Sequence, residues 1–101
     1  MSEWCYLLQA CRPTLMQDAT EQEQASIGRH YRRLVDLLEA GTLVLAGPCT
    51  DGVGPGIVVF EAADEEEARK VMEEDPAVVD GVMTATLHPY RVSLLRGRPV
   101  D

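Results

Sequence analysis

Two ionisable side chains fall on helical positions where the apolar pattern would place core residues. His30 lies on the predicted inward face of a helix that follows Thr20, and Asp75 extends the apolar stripe of a second predicted helix, three positions beyond Met72. Both helices are expected to pack on the same sheet, so the two side chains are predicted to approach each other. A carboxylate beside an imidazole fixes its tautomer and lets it carry a proton near neutral pH. The pair therefore predicts a general acid/base site.

A second interpretation gives both residues structural roles. His30 would be a core histidine bonded to a backbone carbonyl, and Asp75 would cap the turn that begins at Pro76. Sequence spacing gives no distance between two helices, so residue types alone do not decide between these interpretations.

The first helix is the most strongly marked element. Thr20 and Glu23 form a T-x-x-E capping box, and Gly41 is placed to end the helix after about Ala40. Its predicted inward stripe comprises Ile27, His30, Tyr31, Leu34 and either Leu37 or Leu38. Asp64 and Glu67 form a second capping box, and Pro76 ends that helix near Asp75.

Three stretches predict the strands. The first runs from Glu3 to Cys11, and the last from Val82 to Leu95, where Pro89 indicates a bend or an edge position. The middle stretch, Thr42 to Phe60, contains two apolar runs around a glycine-rich connection, which predicts a hairpin at the centre of the sheet.

The resulting order, strand–helix–strand–strand–helix–strand, predicts an α+β fold of the ferredoxin-like βαββαβ type, with a four-stranded antiparallel sheet and both helices on one face. We expect residues 1–101 to form one domain. A helix-free apolar face would remain, and a second copy of the chain is expected to cover it, giving a homodimer.

Charge and composition disfavour several classes of protein. A net charge of -8 argues against nucleic acid and anionic membranes as partners. No apolar run is long enough to span a membrane and no signal sequence is visible, so a cytoplasmic location is expected. The cysteines, Cys5, Cys11 and Cys49, match no disulfide or metal-ligand spacing, and the two histidines are far apart. We therefore expect no metal and no other cofactor.

Two further residues are weaker candidates for the site. Asp51 lies in the glycine-rich connection and could point toward a pocket, although Asp-Gly is an ordinary turn pair. His88 alternates within the last predicted strand and could line the same cavity or lie on the surface. The segment from Gly52 to Gly56 leads into a strand and contains a proline, which disfavours a phosphate-binding loop.

Several marks, in order, resemble the YciI-like (YCII-related) family across nearly the whole chain. They are His30, the segment Leu37 to Leu43, Ala46-Gly47-Pro48, the glycine-rich loop, Asp75-Pro76 followed by Gly81-Val82, and His88-Pro89-Tyr90. The resemblance implies a ferredoxin-like dimer of the α/β-barrel kind and an active site whose histidine and aspartate match His30 and Asp75. It implies no particular substrate, and Ala77 departs from the aromatic residue that commonly follows the family's Asp-Pro pair.

Together these features predict a small cofactor-independent enzyme that uses His30 and Asp75 for proton transfer or elimination on a small organic molecule, as an isomerase or lyase. The alternative is a non-catalytic dimer that binds a small ligand or acts as a regulator. An accessible His30–Asp75 contact would favour the enzyme, and a sealed contact would favour a structural role.

Overall fold

A computed structural model describes residues 1–100 of the chain. The strands are β1 (Ser2–Ala10), β2 (Leu43–Pro48), β3 (Gly56–Ala62) and β4 (Met83–Pro89). The helices are α1 (Leu15–Asp18), α2 (Glu21–Glu39), α3 (Glu65–Glu73) and α4 (Pro76–Val79). The short helices α1 and α4 add single turns to the predicted order.

The four strands form one antiparallel sheet in the order β2-β3-β1-β4. This is the ferredoxin-like α+β topology that the sequence predicts. The expectation that the whole hairpin lies at the centre of the sheet is wrong, because β1 inserts beside β3 and leaves β2 at the edge. Burial follows this order: Cys5 and Tyr6, neighbours that face opposite sides of β1, are both buried, whereas Leu45 of β2 is exposed.

The core lies between one face of the sheet and the helices. Its buried members are Tyr6, Leu8, Leu34, Leu43, Val58, Phe60, Ala62, Ala68 and Met72. The rings of Tyr6 and Phe60 meet edge to face with their centroids 5.7 Å apart. This contact fixes the orientation of Tyr6 beneath the helices.

Helix α2 begins as its sequence predicts. The Thr20 side chain accepts a hydrogen bond from the Glu23 backbone N–H, and the Glu23 carboxylate accepts one from Thr20 N–H. The chain leaves the helix at Gly41, whose φ of +80° suits glycine.

The predicted inward stripe of α2 is wrong at Tyr31, which is 68% exposed, and it missed Ser26, which is buried. Of the two alternatives at its end, Leu37 packs against the core and Leu38 is 55% exposed. Ser26 is buried because this part of α2 packs against α4. The Ser26 hydroxyl donates a hydrogen bond to the carbonyl oxygen of Pro76 at 3.3 Å.

The second capping signal is also realised, with one difference. The Asp64 carboxylate accepts from the Glu67 backbone N–H, but the Glu67 side chain reaches the N–H of Ala63 rather than that of Asp64. Helix α3 ends at Glu73, and Asp75 caps the start of α4. The end predicted near Asp75 is therefore confirmed.

The last strand is shorter than predicted. It ends at Pro89, so the expected extension to Leu95 is wrong, whereas the edge position indicated by Pro89 is confirmed. Proline has no backbone N–H to continue the ladder, and the chain is then held at the start of β1, where the Glu3 carboxylate accepts from Val92 N–H at 3.0 Å. Within residues 1–100, no helix has the length and apolar character needed to cross a membrane.

Candidate active site

His30 and Asp75 are in direct contact. Nδ1 of His30 lies 2.8 Å from each carboxylate oxygen of Asp75, although 45 residues separate the two in sequence. The Asp75 side chain is fully buried, and the His30 side chain is 13% exposed. The structure thus brings together the two residues that the sequence singled out.

Asp75 accepts hydrogen bonds from two further donors. The hydroxyl of Tyr6 donates to Oδ2 at 2.6 Å, and the backbone N–H of Ala77 donates to Oδ1 at 3.0 Å. The second bond is the helix cap that the structural interpretation of Asp75 required. Asp75 therefore caps α4 and contacts His30 at the same time, so the two interpretations are compatible for Asp75. For His30 the structural interpretation is wrong, because within residues 1–100 its Nδ1 bonds the Asp75 carboxylate and no backbone carbonyl.

These donors determine the charge of the carboxyl group. Burial alone would raise the pKa of Asp75, but the hydrogen bonds from His30 and Tyr6 outweigh it and hold the pKa below its usual range. For Tyr6, burial and then the neighbouring Asp75 raise the pKa well above its usual value. The buried carboxyl is consequently an anion near neutral pH, and the phenol keeps its proton.

The other ring nitrogen of His30, Nε2, makes no hydrogen bond within residues 1–100. In that range the completely buried side-chain polar atom that lacks a partner is Nε1 of Trp4, so Nε2 of His30 keeps some contact with solvent, although the side chain is only 13% exposed. Because Asp75 is an acceptor, it selects the neutral tautomer with hydrogen on Nδ1, which leaves the Nε2 lone pair free to take a proton.

Three separate parts of the chain position this group. Helix α2 carries His30, the turn between α3 and α4 carries Asp75, and the central strand β1 carries Tyr6 beneath them. Sequence reasoning identified the first two residues and missed Tyr6. Its signal was a tyrosine at a core-facing position of a strand, where the hydroxyl requires a partner.

Asp51 and His88 do not join the pair. The exposed Asp51 carboxylate accepts from the backbone N–H groups of Val53 and Gly54, so it shapes its own loop. His88 is exposed and bonds Thr86 through Nε2. It lies on the helix-free face of the sheet, because its neighbour Leu87 packs against the core on the helix face.

Two surface pockets lie away from His30 and Asp75. One of about 430 Å³ is bordered by Arg29 and Asp80, and one of about 690 Å³ is bordered by Trp4 and Tyr90. Neither is lined by His30 or Asp75. In residues 1–100, no three His, Cys, Asp or Glu side chains converge in a metal-binding arrangement.

Comparison with known families identifies the family to which this chain belongs. The model of the YCII-related domain family matches residues 4–87, which include all three residues of the buried contact. The chain belongs to the YCII-related domain family. The family predicted from the order of motifs in the sequence is therefore confirmed.

A solved structure shares the fold. The protein resembles 5-chloro-2-hydroxyhydroquinone dehydrochlorinase (TftG) from Burkholderia phenoliruptrix AC1100, solved in complex with 2,5-dihydroxybenzoquinone, with a TM-score of 0.58 and 18% sequence identity. The match covers 88% of this chain and 93% of that chain. No curated protein is significantly similar in sequence. At this identity the match establishes the fold.

Proposed function

We propose that this YCII-related protein is a small cofactor-independent enzyme that transfers a proton on a small organic molecule. The observation that carries the proposal is the bonding of His30, whose Nδ1 contacts the buried Asp75 carboxylate while Nε2 has no partner within residues 1–100 and keeps some contact with solvent. In this proposal His30 is the general base and then the general acid. Asp75 orients the ring and stabilises its charged form.

In the proposed reaction a single base, Nε2 of His30, removes one proton from the substrate and later returns it. Nε2 takes a proton from an acidic C–H or O–H group of the substrate, and the imidazolium that forms is stabilised by the adjacent carboxylate. Returning that proton to another atom of the substrate isomerises it. Delivering it to a departing group completes an elimination, in which the bond to the leaving group breaks as the new double bond forms.

The substrate is proposed to be a small molecule with an acidified hydrogen. The fold neighbour is a dehydrochlorinase of 5-chloro-2-hydroxyhydroquinone, and its structure holds 2,5-dihydroxybenzoquinone. Hydroxylated rings and quinones are therefore the first compounds to test for this chain. Their ring hydroxyl groups carry the protons that Nε2 of His30 is proposed to accept.

We also propose that the protein works as a homodimer. The helix-free face of the sheet carries apolar side chains from three strands: Cys5, Leu7, Leu45, Ile57 and Val59, of which Cys5 and Val59 are already buried in the single chain. Leu45 is 45% exposed on this face. Burying it against a second copy would remove apolar surface from water, and light scattering should then give twice the chain mass of 11.1 kDa.

The alternative function is a non-catalytic dimer that binds a small ligand at the same histidine. The accessible Nε2 favours the enzyme, because a purely structural histidine would have both nitrogens bonded or sealed. Binding without turnover would favour the alternative.

A metabolite screen tests the proposal, with thermal shift reporting binding and chromatography reporting turnover. The matched variants are His30→Ala and His88→Ala, which remove the two histidines of the chain one at a time. We expect a compound that is converted by the wild type and by His88→Ala and is not converted by His30→Ala. Equal conversion by His30→Ala would refute a catalytic role for His30.

A further inference from the structure

Tyr6 differs from the other tyrosines of the chain. Tyr31 and Tyr90 are 68% and 51% exposed, whereas Tyr6 is completely buried. Its hydroxyl donates to Oδ2 of Asp75 at 2.6 Å, the shortest of the bonds that this carboxylate accepts.

The position of that hydroxyl is tightly fixed. Tyr6 lies on β1, whose backbone pairs with Val58 on one side and with Leu87 on the other. Its ring is held edge to face by Phe60. A donor on a central strand with both neighbours paired has little freedom to move, so it can hold the group it bonds in one orientation.

The Asp75 carboxylate that Tyr6 contacts must keep one orientation relative to the His30 ring. Both oxygens of Asp75 lie 2.8 Å from Nδ1 of His30, which requires the carboxylate to be centred on that nitrogen. Ala77 N–H holds Oδ1, and Tyr6 holds Oδ2. Without Tyr6 one oxygen would have no donor besides His30, and the carboxylate could rotate or take up a proton.

We infer that Tyr6 is a positioning residue of the proposed site, and that its hydroxyl keeps Asp75 ionised and centred on Nδ1 of His30. The inference rests on the proposed function for its catalytic meaning. The phenol is completely buried and donates its proton to the carboxylate, so it acts on the site through Asp75, with the Arg33 guanidinium as its other charged neighbour. In consequence the proton of neutral His30 stays on Nδ1, and Nε2 stays available as a base.

Direct titration of the Asp75 carboxyl tests this inference. The protein is labelled with ¹³Cγ-aspartate, the Asp75 signal is assigned by its loss in Asp75→Asn, and its titration is followed by NMR in wild type, Tyr6→Phe and Tyr31→Phe. Phenylalanine keeps the ring and removes only the hydroxyl, so the Asp75 midpoint should rise in Tyr6→Phe. It should stay at the wild-type position in Tyr31→Phe, whose hydroxyl is exposed.

A second variant covers the possibility that Tyr6→Phe does not fold. In a Tyr31→Phe/Tyr90→Phe background Tyr6 is the remaining tyrosine, and 3-fluorotyrosine incorporated there is a more acidic and stronger hydrogen-bond donor. The Asp75 midpoint should then fall. A midpoint that does not change in Tyr6→Phe, or in the fluorinated protein when Tyr6→Phe is unfolded, overturns the inference.

The tautomer of His30 provides a second test, because Tyr6→Phe would leave it unchanged if Tyr6 only stabilised the fold. In wild type at a pH where the ring is neutral, ¹⁵N chemical shifts should show hydrogen on Nδ1, and Tyr6→Phe should show a larger fraction with hydrogen on Nε2. These measurements need no substrate. A failed metabolite screen would therefore count against the proposed function and leave the role of Tyr6 independently tested.

Discussion

Replacing Asp75 with asparagine should destabilise the protein strongly at neutral pH. The side chain keeps its size, and the amide oxygen still accepts from Ala77 N–H, but the negative charge that Tyr6 and His30 bind is lost. Hydrogen bonds to buried charged groups contribute about 1.5–3 kcal/mol each, and removing one partner of a buried pair costs about 3–5 kcal/mol. Because one bond is retained, we expect a loss of about 3 kcal/mol in the free energy of unfolding.

That loss can be measured by urea and thermal unfolding. In a domain of this size each kcal/mol corresponds to roughly 4–8 °C, so the melting temperature should fall by about 12–24 °C. Asp36→Asn is the matched control, because Asp36 is an exposed carboxylate on α2. That variant should remain within about 0.5 kcal/mol of wild type.

The difference should also depend on pH, with a sign fixed by the Asp75 carboxyl. Its folded pKa lies below its ordinary value, so its contribution to stability is present above about pH 4 and is lost as the pH falls through the folded pKa. Wild type and Asp75→Asn should therefore differ most near pH 7 and converge in acid. A gap below about 1 kcal/mol at pH 7, or one that stays constant down to about pH 3, would show that the charge of Asp75 does not stabilise the fold.

Three other outcomes follow from the fold. Thr20→Ala removes the side-chain oxygen that caps α2 and should cost about 1 kcal/mol in urea unfolding, with little change expected for exposed Thr50→Ala. Phe60→Ala should cost about 3–5 kcal/mol, since the ring is fully buried and packs on Tyr6; a cost below about 1 kcal/mol would contradict this packing. All three cysteines are unpaired, so a reductant should leave the melting temperature unchanged, and a reproducible decrease would reveal a disulfide.

The sequence predicted most of the fold because its local signals are strong. The Thr20 capping box and the proline after Asp75 fixed where helices begin and end, and both are realised. The order of the elements predicts the ferredoxin-like topology, but local apolar patterns do not show which strands lie at the edge. The apolar runs of the hairpin pointed to the centre of the sheet, although β2 lies at its edge, and periodicity alone could not exclude Tyr31 from the inward face of α2.

The candidate site was predictable to the extent that its residues broke a local pattern. His30 and Asp75 were conspicuous because each is polar on an otherwise apolar stripe. Tyr6 was not, since tyrosine is common in strands and its ring packs as an apolar group. Its role comes from a hydroxyl contact across 69 residues of sequence, which no local pattern encodes.

Stability and the proposed chemistry meet in one side chain, and this affects how each residue can be tested. Asp75 accepts from α2, from β1 and from the start of α4, so any change there alters three elements together. His30→Ala removes one donor and leaves the carboxylate bonded to Tyr6 and Ala77, so the buried charge keeps partners. A loss of conversion in His30→Ala can be assigned to the imidazole once urea unfolding shows that the variant is folded, and the same loss in Asp75→Asn must be separated from a larger destabilisation.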